Sequence, residues 1–350
     1  MQLDGTRILV TGGAGLIGST TVDLLLREHD PAQVVVLDNL SRGNPDNLRE
    51  ASRDPRLKFV RGDVRDPASV RSAMRGMDAV LHLAALRITA CAAEPREALQ
   101  VMCHGSFNVV EAAHAAGVRK VVAASSASVY GQAEDFPTRE DHHPWGNDTW
   151  YGTGKLMLEG LLRAYRAMHG LAGVSLRYFN VYGPRMDTEG AYTEVLIRWM
   201  ERIAQDRPPL ILGDGRQTMD FVHVRDVARA NLAALRSDCE TGAFNIASGT
   251  ETSLLGLANS LLQAMDSPLQ PVFGPPRAVS PVTRRLADVS QARAVLGFEA
   301  EVPLDEGLRD LVAWWRTQAP AVRGEPTVDP ARGRAQPAAA ASVGMEARLA

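Results

Sequence analysis

Residues 10–18 read Val-Thr-Gly-Gly-Ala-Gly-Leu-Ile-Gly and lie between two stretches of opposite character. The apolar run 7–10 precedes them and is typical of a buried β-strand. An amphipathic stretch at 16–28 follows and predicts a helix. The sequence therefore predicts a strand, a glycine loop and a helix in immediate succession, which is the start of a doubly wound α/β fold.

The glycines of this segment have separate expected tasks. Gly12 would permit the tight turn, Gly15 would let the backbone approach a pyrophosphate, and Gly18 would let the helix pack closely. The backbone N–H groups that begin the helix, around Leu16 and Ile17, would then bind the anion. The alternative is a structural turn that binds nothing.

An acidic residue, Asp38, ends the second predicted strand 20 residues after Gly18. A carboxylate at this point accepts hydrogen bonds from a ribose diol and repels a 2′-phosphate. This favours NAD as the cofactor. Arg42 lies nearby in sequence and could neutralise a phosphate, which leaves NADP as the alternative.

The first half of the chain continues the alternation of strands and helices. Apolar runs predict further strands at 34–37, 57–60, 79–83 and 120–124, with apolar residues on both faces. We therefore expect a Rossmann-type parallel sheet covered by helices on both sides, accompanied by a smaller C-terminal α/β substrate domain.

The domain boundary is expected near residue 180, where Pro and Gly become frequent. Residues 1–180 would bind the dinucleotide, and 181–318 would form the substrate domain. A helix and strand within 220–247 are expected to pack back on the main sheet. The Pro/Ala/Arg-rich residues 319–350 are expected to be disordered.

Composition narrows the class of protein. The formal net charge of the 350 residues is −3, which gives no reason to expect nucleic-acid or membrane-surface binding. No apolar run approaches the roughly 20 residues of a membrane span, and the N-terminus lacks the layout of a signal peptide. The three cysteines have no metal-ligand spacing, so we expect a cytoplasmic protein without a metal site.

A tyrosine and a lysine, Tyr151 and Lys155, stand four residues apart and would share one face of a helix. A neighbouring ammonium group favours the phenolate form of tyrosine, which could then act as a base. Ser126 belongs to a hydroxyl cluster directly after the predicted strand 120–124, at the sheet edge where ligands bind. Ser126 could hydrogen-bond the hydroxyl that loses its proton. The alternative is that Tyr151 is only an aromatic residue at the start of a helix and that the serines only form a turn.

In order, these segments resemble the extended short-chain dehydrogenase/reductase family, and within it the UDP-glucose 4-epimerase-like sugar-nucleotide epimerases. The matching stretches are TGGAGLIG at 11–18, LDNLSRG at 37–43, GDVRD at 62–66, HLAAL at 82–86, SSASVYG at 125–131, YGTGK at 151–155, RYFNVYGPR at 177–185, GDGRQTMDFVHVRDVA at 213–228 and LADVSQARAVLGF at 286–298. The resemblance covers residues 6–316.

This resemblance implies roles for further residues around NAD. Asp63 and Val64 should lie by the adenine, Arg87 should reach the diphosphate, and Tyr178 should flank the nicotinamide. The remaining expected cofactor contacts are Asn39, Leu83, Ala84, Ala85, Tyr151 and Lys155. Ser126, Tyr151 and Lys155 should form the catalytic triad.

The resemblance also implies how the substrate is bound. Ser128 and Asn180 should contact the sugar nucleotide, which we expect to be a UDP-sugar. Met219 stands where many relatives place a phosphate-binding arginine, and Arg216, Arg277 or Arg284 are candidates to replace it. Arg285 falls near the position that selects the sugar, so Arg285 or Arg185 is a candidate partner for the carboxylate of a hexuronate. Either arginine could instead contact phosphate or solvent.

The segment Ser126-Ala127-Ser128 helps to choose among the reactions of the family. Dehydratases carry an Asp-Glu pair there and decarboxylases a Glu, whereas this chain has neither. The resemblance therefore implies 4-epimerisation of a UDP-hexose or UDP-hexuronate. A 4-keto-sugar reductase of the same fold and a non-catalytic dinucleotide sensor are the alternatives. By resemblance alone, helices near 95–116 and 152–169 would form a homodimer interface.

Overall fold

The structure is a computed structural model that describes residues 1–188, 194–275 and 282–318. Its strands are β1 (Arg7–Thr11), β2 (Gln33–Asp38), β3 (Leu57–Arg61), β4 (Ala79–His82), β5 (Lys120–Ser126), β6 (Ala172–Tyr178), β7 (Asn180–Tyr182), β8 (Leu210–Leu212), β9 (Thr218–His223), β10 (Thr241–Ile246), β11 (Glu251–Ser253) and β12 (Val272–Gly274). The predicted disorder of 319–350 and the substrate role of Arg277 lie outside the described residues.

Helices and short helical turns connect these strands. The helices are α1 (Leu16–Glu28), α2 (Pro67–Met74), α3 (Ile88–Ala93), α4 (Pro95–Ala98), α5 (Ser106–Ala115), α6 (Trp150–His169), α7 (Val195–Ile203), α8 (Val224–Arg236), α9 (Leu254–Ala264) and α10 (Leu304–Gln318). Shorter helical turns cover Pro45–Leu48, Ala51–Arg53, Leu99–Gly105, Ala127–Tyr130 and Ala292–Leu296. In the described part of the chain no helix is long and apolar enough to cross a membrane.

The main sheet has seven parallel strands in the order β3-β2-β1-β4-β5-β6-β10 within the described residues. This is the strand order of a doubly wound dinucleotide-binding fold, extended by one strand, and it confirms the predicted fold class. The order reverses between β1 and β4. Ligands of such sheets bind beyond the carboxyl ends of the strands at this reversal, which is where the glycine loop begins.

One sequence expectation about the sheet was wrong. The strand around 57–60 was expected to be apolar on both faces, but β3 has Lys58 and Phe59 exposed. The reason is its position at the edge of the sheet, where the flanking helices cover the faces less than they cover those of the central strands. The central strands β1, β4 and β5 are buried along nearly their whole length, as the prediction required.

The segments after β6 form smaller sheets and return to the main one. β9 pairs with both β7 and β11, and β8 pairs with β12. An apolar core that includes Trp199, Met200, Leu257 and Leu308 joins α7, α9 and α10 beneath them. β10 pairs with β6, so residues of the second half extend the main sheet. The described residues between Met1 and Gln318 form one compact unit.

Candidate active site

The glycine loop is shaped by steric limits that only glycine meets. Gly12 has a φ of +71°, and a Cβ there would lie 2.7 Å from the backbone nitrogen of Ala84. A Cβ on Gly18 would clash with the Gly12 carbonyl oxygen and lie 2.6 Å from the Gly13 Cα. Gly18 therefore lets α1 pack against its own loop, which is more local than the predicted contact with the sheet. Next to Gly15, by contrast, the nearest protein atom to a Cβ would be 3.4 Å away.

The start of α1 fits the diphosphate of NAD. Gly15 is the residue before the helix, no side chain caps its N–H groups, and no acidic residue occupies its first turn. Uncapped N–H groups and the positive end of the helix dipole together favour an anion. Leu16 and Ile17 begin the helix at this point, where the sequence placed the cofactor.

Asp38 lies directly beside this loop. Its side chain is buried, and its Oδ2 accepts the Ala14 N–H at 2.9 Å while Oδ1 accepts the Leu40 N–H at 2.8 Å. Each carboxylate oxygen retains a further acceptor site, so the group can still accept hydrogen bonds from ribose hydroxyls. The two backbone contacts fix its orientation before any ligand binds.

The expected adenine neighbours follow β3. Asp63 accepts a hydrogen bond from the Asn39 amide at 2.8 Å and a bidentate pair from Arg65 at 3.0 and 2.8 Å. The Arg65 hydrogen bonds lower the pKa of Asp63 to about 2. Val64 is buried, and its carbonyl oxygen accepts the Asn108 amide at 2.9 Å. Their contact with adenine stays a prediction.

The segment after β4 lies against the glycine loop. The Leu83 N–H donates to the Thr11 carbonyl oxygen at 3.1 Å. The Ala84 backbone lies against Gly12, and Ala85 packs in a small cluster with Tyr151. These contacts place three predicted cofactor residues between the loop and the catalytic helix.

Arg87 and Arg42, the two expected cations of the cofactor site, lie near each other. Desolvation is the main cause of a lowered pKa at Arg42, and repulsion by Arg87 is the second. The Arg87 guanidinium lies 3.2 Å from the Asp187 carboxylate and 4.0 Å from that of Glu194. Protein carboxylates therefore already contact the cation that was expected to reach the diphosphate.

The predicted catalytic side chains converge at the end of β5. Thr149 caps α6 by accepting the Gly152 N–H at 3.0 Å, so that Tyr151 falls in the first turn. The Tyr151 hydroxyl lies close enough to the Ser126 side chain for Ser126 to lower the pKa of the phenol. The Lys155 ammonium donates to the Ala124 carbonyl oxygen at 2.6 Å and lies 5.5 Å from the centre of the Tyr151 ring.

The surroundings of Tyr151 and Lys155 shift the pKa of both side chains. Burial raises the pKa of the Tyr151 phenol, whereas the Ser126 side chain and the charges of Arg42 and Arg285 lower it. Burial lowers the pKa of the Lys155 ammonium to about 8. The pKa of the phenol is therefore raised overall, and two cations that the sequence did not link to the phenol, Arg42 and Arg285, oppose this rise.

Other predicted site residues are held by protein partners. Ser128 donates its backbone N–H to the Ser126 Oγ at 3.1 Å, and the two hydroxyl oxygens are 3.2 Å apart. The Asn180 amide donates to the Asp220 carbonyl oxygen at 2.9 Å. The Tyr178 ring is buried, and its hydroxyl donates to the Asn231 side chain at 2.6 Å.

The candidate arginines differ in their partners and in their exposure to solvent. Arg185 pairs with Asp23 on α1 at 2.5 Å and lines a groove between α1 and α8, and Arg216 is almost fully exposed beside Asp214. Arg284 forms a bidentate pair with Glu251 at 2.7 and 3.0 Å. Each of these three arginines thus has a carboxylate beside it, and its contact with the substrate stays a prediction.

Arg285 is the exception among them. Its backbone N–H donates to the Thr218 carbonyl oxygen at 2.9 Å, and its side chain is close enough to Tyr151 for each to shift the pKa of the other. Within the described residues its guanidinium has neither a hydrogen bond nor an ion pair. A desolvated cation of this kind is suited to an anionic group of the substrate.

Asp220 is a buried carboxylate that the sequence analysis did not single out. It accepts the Ser248 N–H at 2.8 Å, the Ser248 hydroxyl at 2.7 Å and the Gly249 N–H at 3.0 Å. These bonds hold the turn after β10 against β9, beside the backbone that Asn180 contacts. An acid between the apolar residues Met219 and Phe221 was the available signal.

A doubly wound sheet, a glycine loop and a Ser-Tyr-Lys cluster define an enzyme that uses a dinucleotide. The sequence profile of the NAD dependent epimerase/dehydratase family matches residues 8–247. The chain belongs to this family, which confirms the predicted family and the NAD cofactor.

The most informative relatives include proteins with different reactions. The UDP-glucose 4-epimerase of Mycolicibacterium smegmatis is 37% identical over 317 residues, which cover 89% of this chain and 99% of that protein. UDP-glucuronic acid decarboxylase 1 of Arabidopsis thaliana is 30% identical over 89% of this chain and 70% of its own length.

Solved structures agree with this fold. A UDP-N-acetylglucosamine 4-epimerase from Methanobrevibacter ruminantium has a TM-score of 0.85 and 30% identity, covering 90% of this chain and all of that one. A UDP-glucuronic acid 4-epimerase from Bacillus cereus, solved with UDP-glucuronic acid and NAD, has a TM-score of 0.81 and 27% identity, covering 89% and 100%. Such 4-epimerases are isomerases, and they confirm the prediction of an enzyme of that class.

Proposed function

We propose that the protein is an NAD-dependent 4-epimerase of a UDP-hexose or UDP-hexuronate. The observation that carries the proposal is the convergence of Ser126, Tyr151 and Lys155 at the end of β5, in a segment without a carboxylate at 126–128. Dehydration or decarboxylation would require an additional acid or base there. Inversion requires only removal and return of one proton and one hydride.

Each catalytic side chain has a distinct task in this reaction. The Tyr151 phenolate takes the proton of the C4 hydroxyl, and the Ser126 hydroxyl orients that oxygen. Lys155, fixed by the Ala124 carbonyl oxygen, places its positive charge beside the phenol. NAD held at the start of α1 would supply reversible hydride acceptance at C4, and the keto sugar would have to turn over in the site so that the hydride returns to its other face.

The test is product analysis with a panel of UDP-, GDP- and dTDP-sugars, during which the nicotinamide absorbance is monitored. We expect the C4 epimer of a UDP-sugar and no stoichiometric change in NAD(P)H. Continuous consumption of NAD(P)H would instead identify a reductase, and loss of water or carbon dioxide from the sugar would identify a dehydratase or a decarboxylase.

Arg285 supports a hexuronate as the substrate, because its guanidinium is near Tyr151 and has no counter-ion in the described chain. Replacing Arg285 by alanine is expected to lower kcat/KM about 100-fold for a UDP-hexuronate and only a few-fold for the neutral hexose. The control is Arg293→Ala, which removes an exposed arginine paired with Glu299. Equal losses on both sugars would exclude a contact between Arg285 and the carboxylate.

The assembly and location of the protein are further parts of the proposal. Exposed apolar side chains on α6 and on the helical stretch before and within α5, namely Leu99, Phe107 and Met168, support a homodimer. All three cysteines are free, which supports a reducing, cytoplasmic location. Sedimentation of the purified protein tests the dimer.

A further inference from the structure

A buried ion pair lies directly beneath the catalytic residues. Glu159 on α6 and Arg177 on β6 have side chains only 2% and 9% exposed. The Arg177 Nε donates to Glu159 Oε1 at 2.9 Å, and Nη2 donates to Oε2 at 2.7 Å. This bidentate geometry is the strongest arrangement of the two groups.

Glu159 is connected to both sides of the catalytic cluster. The Ser125 hydroxyl donates to Glu159 Oε1 at 2.5 Å, and Ser125 immediately precedes Ser126 on β5. Glu159 also follows Lys155 by one turn of α6. A shift of the Glu159 carboxylate would therefore act on both catalytic side chains.

Arg177 extends the connection towards the substrate side. Its Nη1 donates to the Tyr130 hydroxyl at 2.8 Å, and that hydroxyl donates to Asn245 Oδ1 at 2.6 Å. The Asn245 amide donates to the carbonyl oxygens of Thr138 and Asp288 at 2.9 and 3.0 Å. Residues 286–288 pair with Thr138 through backbone bonds of 2.7 and 2.9 Å, and they directly follow Arg285.

The energetics of burial indicate what such a network contributes. A buried ion pair costs desolvation energy that its attraction roughly repays, so it adds little stability compared with apolar side chains. None of these side chains leaves a buried polar atom without a partner in the described part of the chain. A network with every bond made holds its members in one arrangement.

We propose that Glu159, Arg177 and Tyr130 are positioning residues that hold Ser126 and Lys155 in place relative to the Arg285 segment. The proposal rests on the proposed function, because that function assigns catalysis to Ser126 and Lys155. All three side chains are buried in the protein interior. They act on the reaction through Ser126, Lys155 and the backbone before Leu286.

Steady-state kinetics of the full-length enzyme with bound NAD test this role. Glu159→Gln is expected to lower kcat about 100-fold, with KM changed by no more than about twofold. Tyr130→Phe keeps the ion pair but cuts the link to Asn245, so it is expected to lower kcat/KM about tenfold, mainly through KM. The matched control is Arg166→Gln, which removes an exposed ion pair with Glu240 from the same helix.

A double variant separates positioning from folding. Glu159→Leu combined with Arg177→Met replaces the pair by apolar side chains, and it is expected to keep the Tm near that of the wild type. Its kcat is nevertheless expected to be about 100-fold lower. A stable double variant with wild-type kcat would overturn the proposal, even where Glu159→Gln fails to fold.

The pH profile gives a readout that a structural role would not change. Lys155 is faced by Cys91 from α3, His82 from β4, the Ala124 carbonyl oxygen from β5, and Tyr151 and Glu159 from its own helix. Burial lowers the Lys155 pKa to about 8, and the Glu159 carboxylate opposes this decrease. Glu159→Gln is therefore expected to move the alkaline limb of kcat to lower pH, and an unmoved limb would count against the role.

The outcome for Tyr151→Phe distinguishes the two proposals. If this variant loses activity while Glu159→Gln, Tyr130→Phe and the double variant behave as the wild type, the positioning role fails and the function stands. If Tyr151→Phe remains active, the proposed function itself fails.

Discussion

Replacing Tyr151 by phenylalanine is expected to lower kcat about 1,000-fold or more while the enzyme keeps its fold and its NAD. The variant loses only the hydroxyl, which lies close to Ser126 and has no replacement as a base. Lys155 remains bound to the Ala124 carbonyl oxygen, so the local structure should persist. Activity is measured by product analysis, and bound NAD by release on denaturation.

The control for this variant is Tyr165→Phe, which removes a hydroxyl from the same helix. Tyr165 packs against His114 and His169, away from Ser126, and its removal should leave kcat within about twofold of the wild type. A Tyr151→Phe enzyme that retains more than about a tenth of the wild-type kcat would refute the assigned base.

The second large effect is expected from Gly18→Ala, which should abolish NAD binding. The added methyl group would collide with the Gly12 carbonyl oxygen and lie 2.6 Å from the Gly13 Cα, so the loop or the start of α1 must move. Such overpacking costs about 1–3 kcal/mol in stability, and the moved loop no longer presents its N–H groups to the diphosphate. We expect purified protein without NAD and with a reduced Tm.

The matched control is Gly160→Ala on α6. A Cβ at Gly160 would have only the end of the Arg163 side chain within 4 Å, at 3.9 Å. Alanine is the better helix former by about 1 kcal/mol, so this variant should be as stable as the wild type or more so and should retain NAD. Full NAD occupancy in Gly18→Ala would show that the loop is not the diphosphate site.

Local patterns explain why much of the main sheet could be predicted. The bounds 16–28 of α1 were predicted correctly because its amphipathic pattern begins at the end of the glycine loop. β3 was misjudged because an edge position depends on the whole sheet and not on residues 57–61. β7, β8, β11 and β12 span three residues each, too few for a periodic pattern to identify them.

Among the site residues, too, those in local motifs could be predicted and those that depend on the whole fold could not. Ser126, Tyr151 and Lys155 could be chosen because they lie in short motifs next to predicted element ends. Contacts between residues far apart in the sequence could not be predicted from local patterns. The ion pair of Arg185 with Asp23 was therefore not expected. Glu159 was missed because an acid on an amphipathic helix usually faces solvent, and only the fold shows that Arg177 reaches it.

The most direct test of the account follows the hydrogen at C4. A UDP-sugar labelled with deuterium at C4 is converted by the enzyme in ordinary water, and the product is examined by NMR and mass spectrometry. Because the hydride leaves and returns without contact with solvent, the C4 epimer should keep its deuterium at C4, with no net change in NAD. Loss of the label to water, or product formed only while NAD(P)H is consumed, would contradict the account.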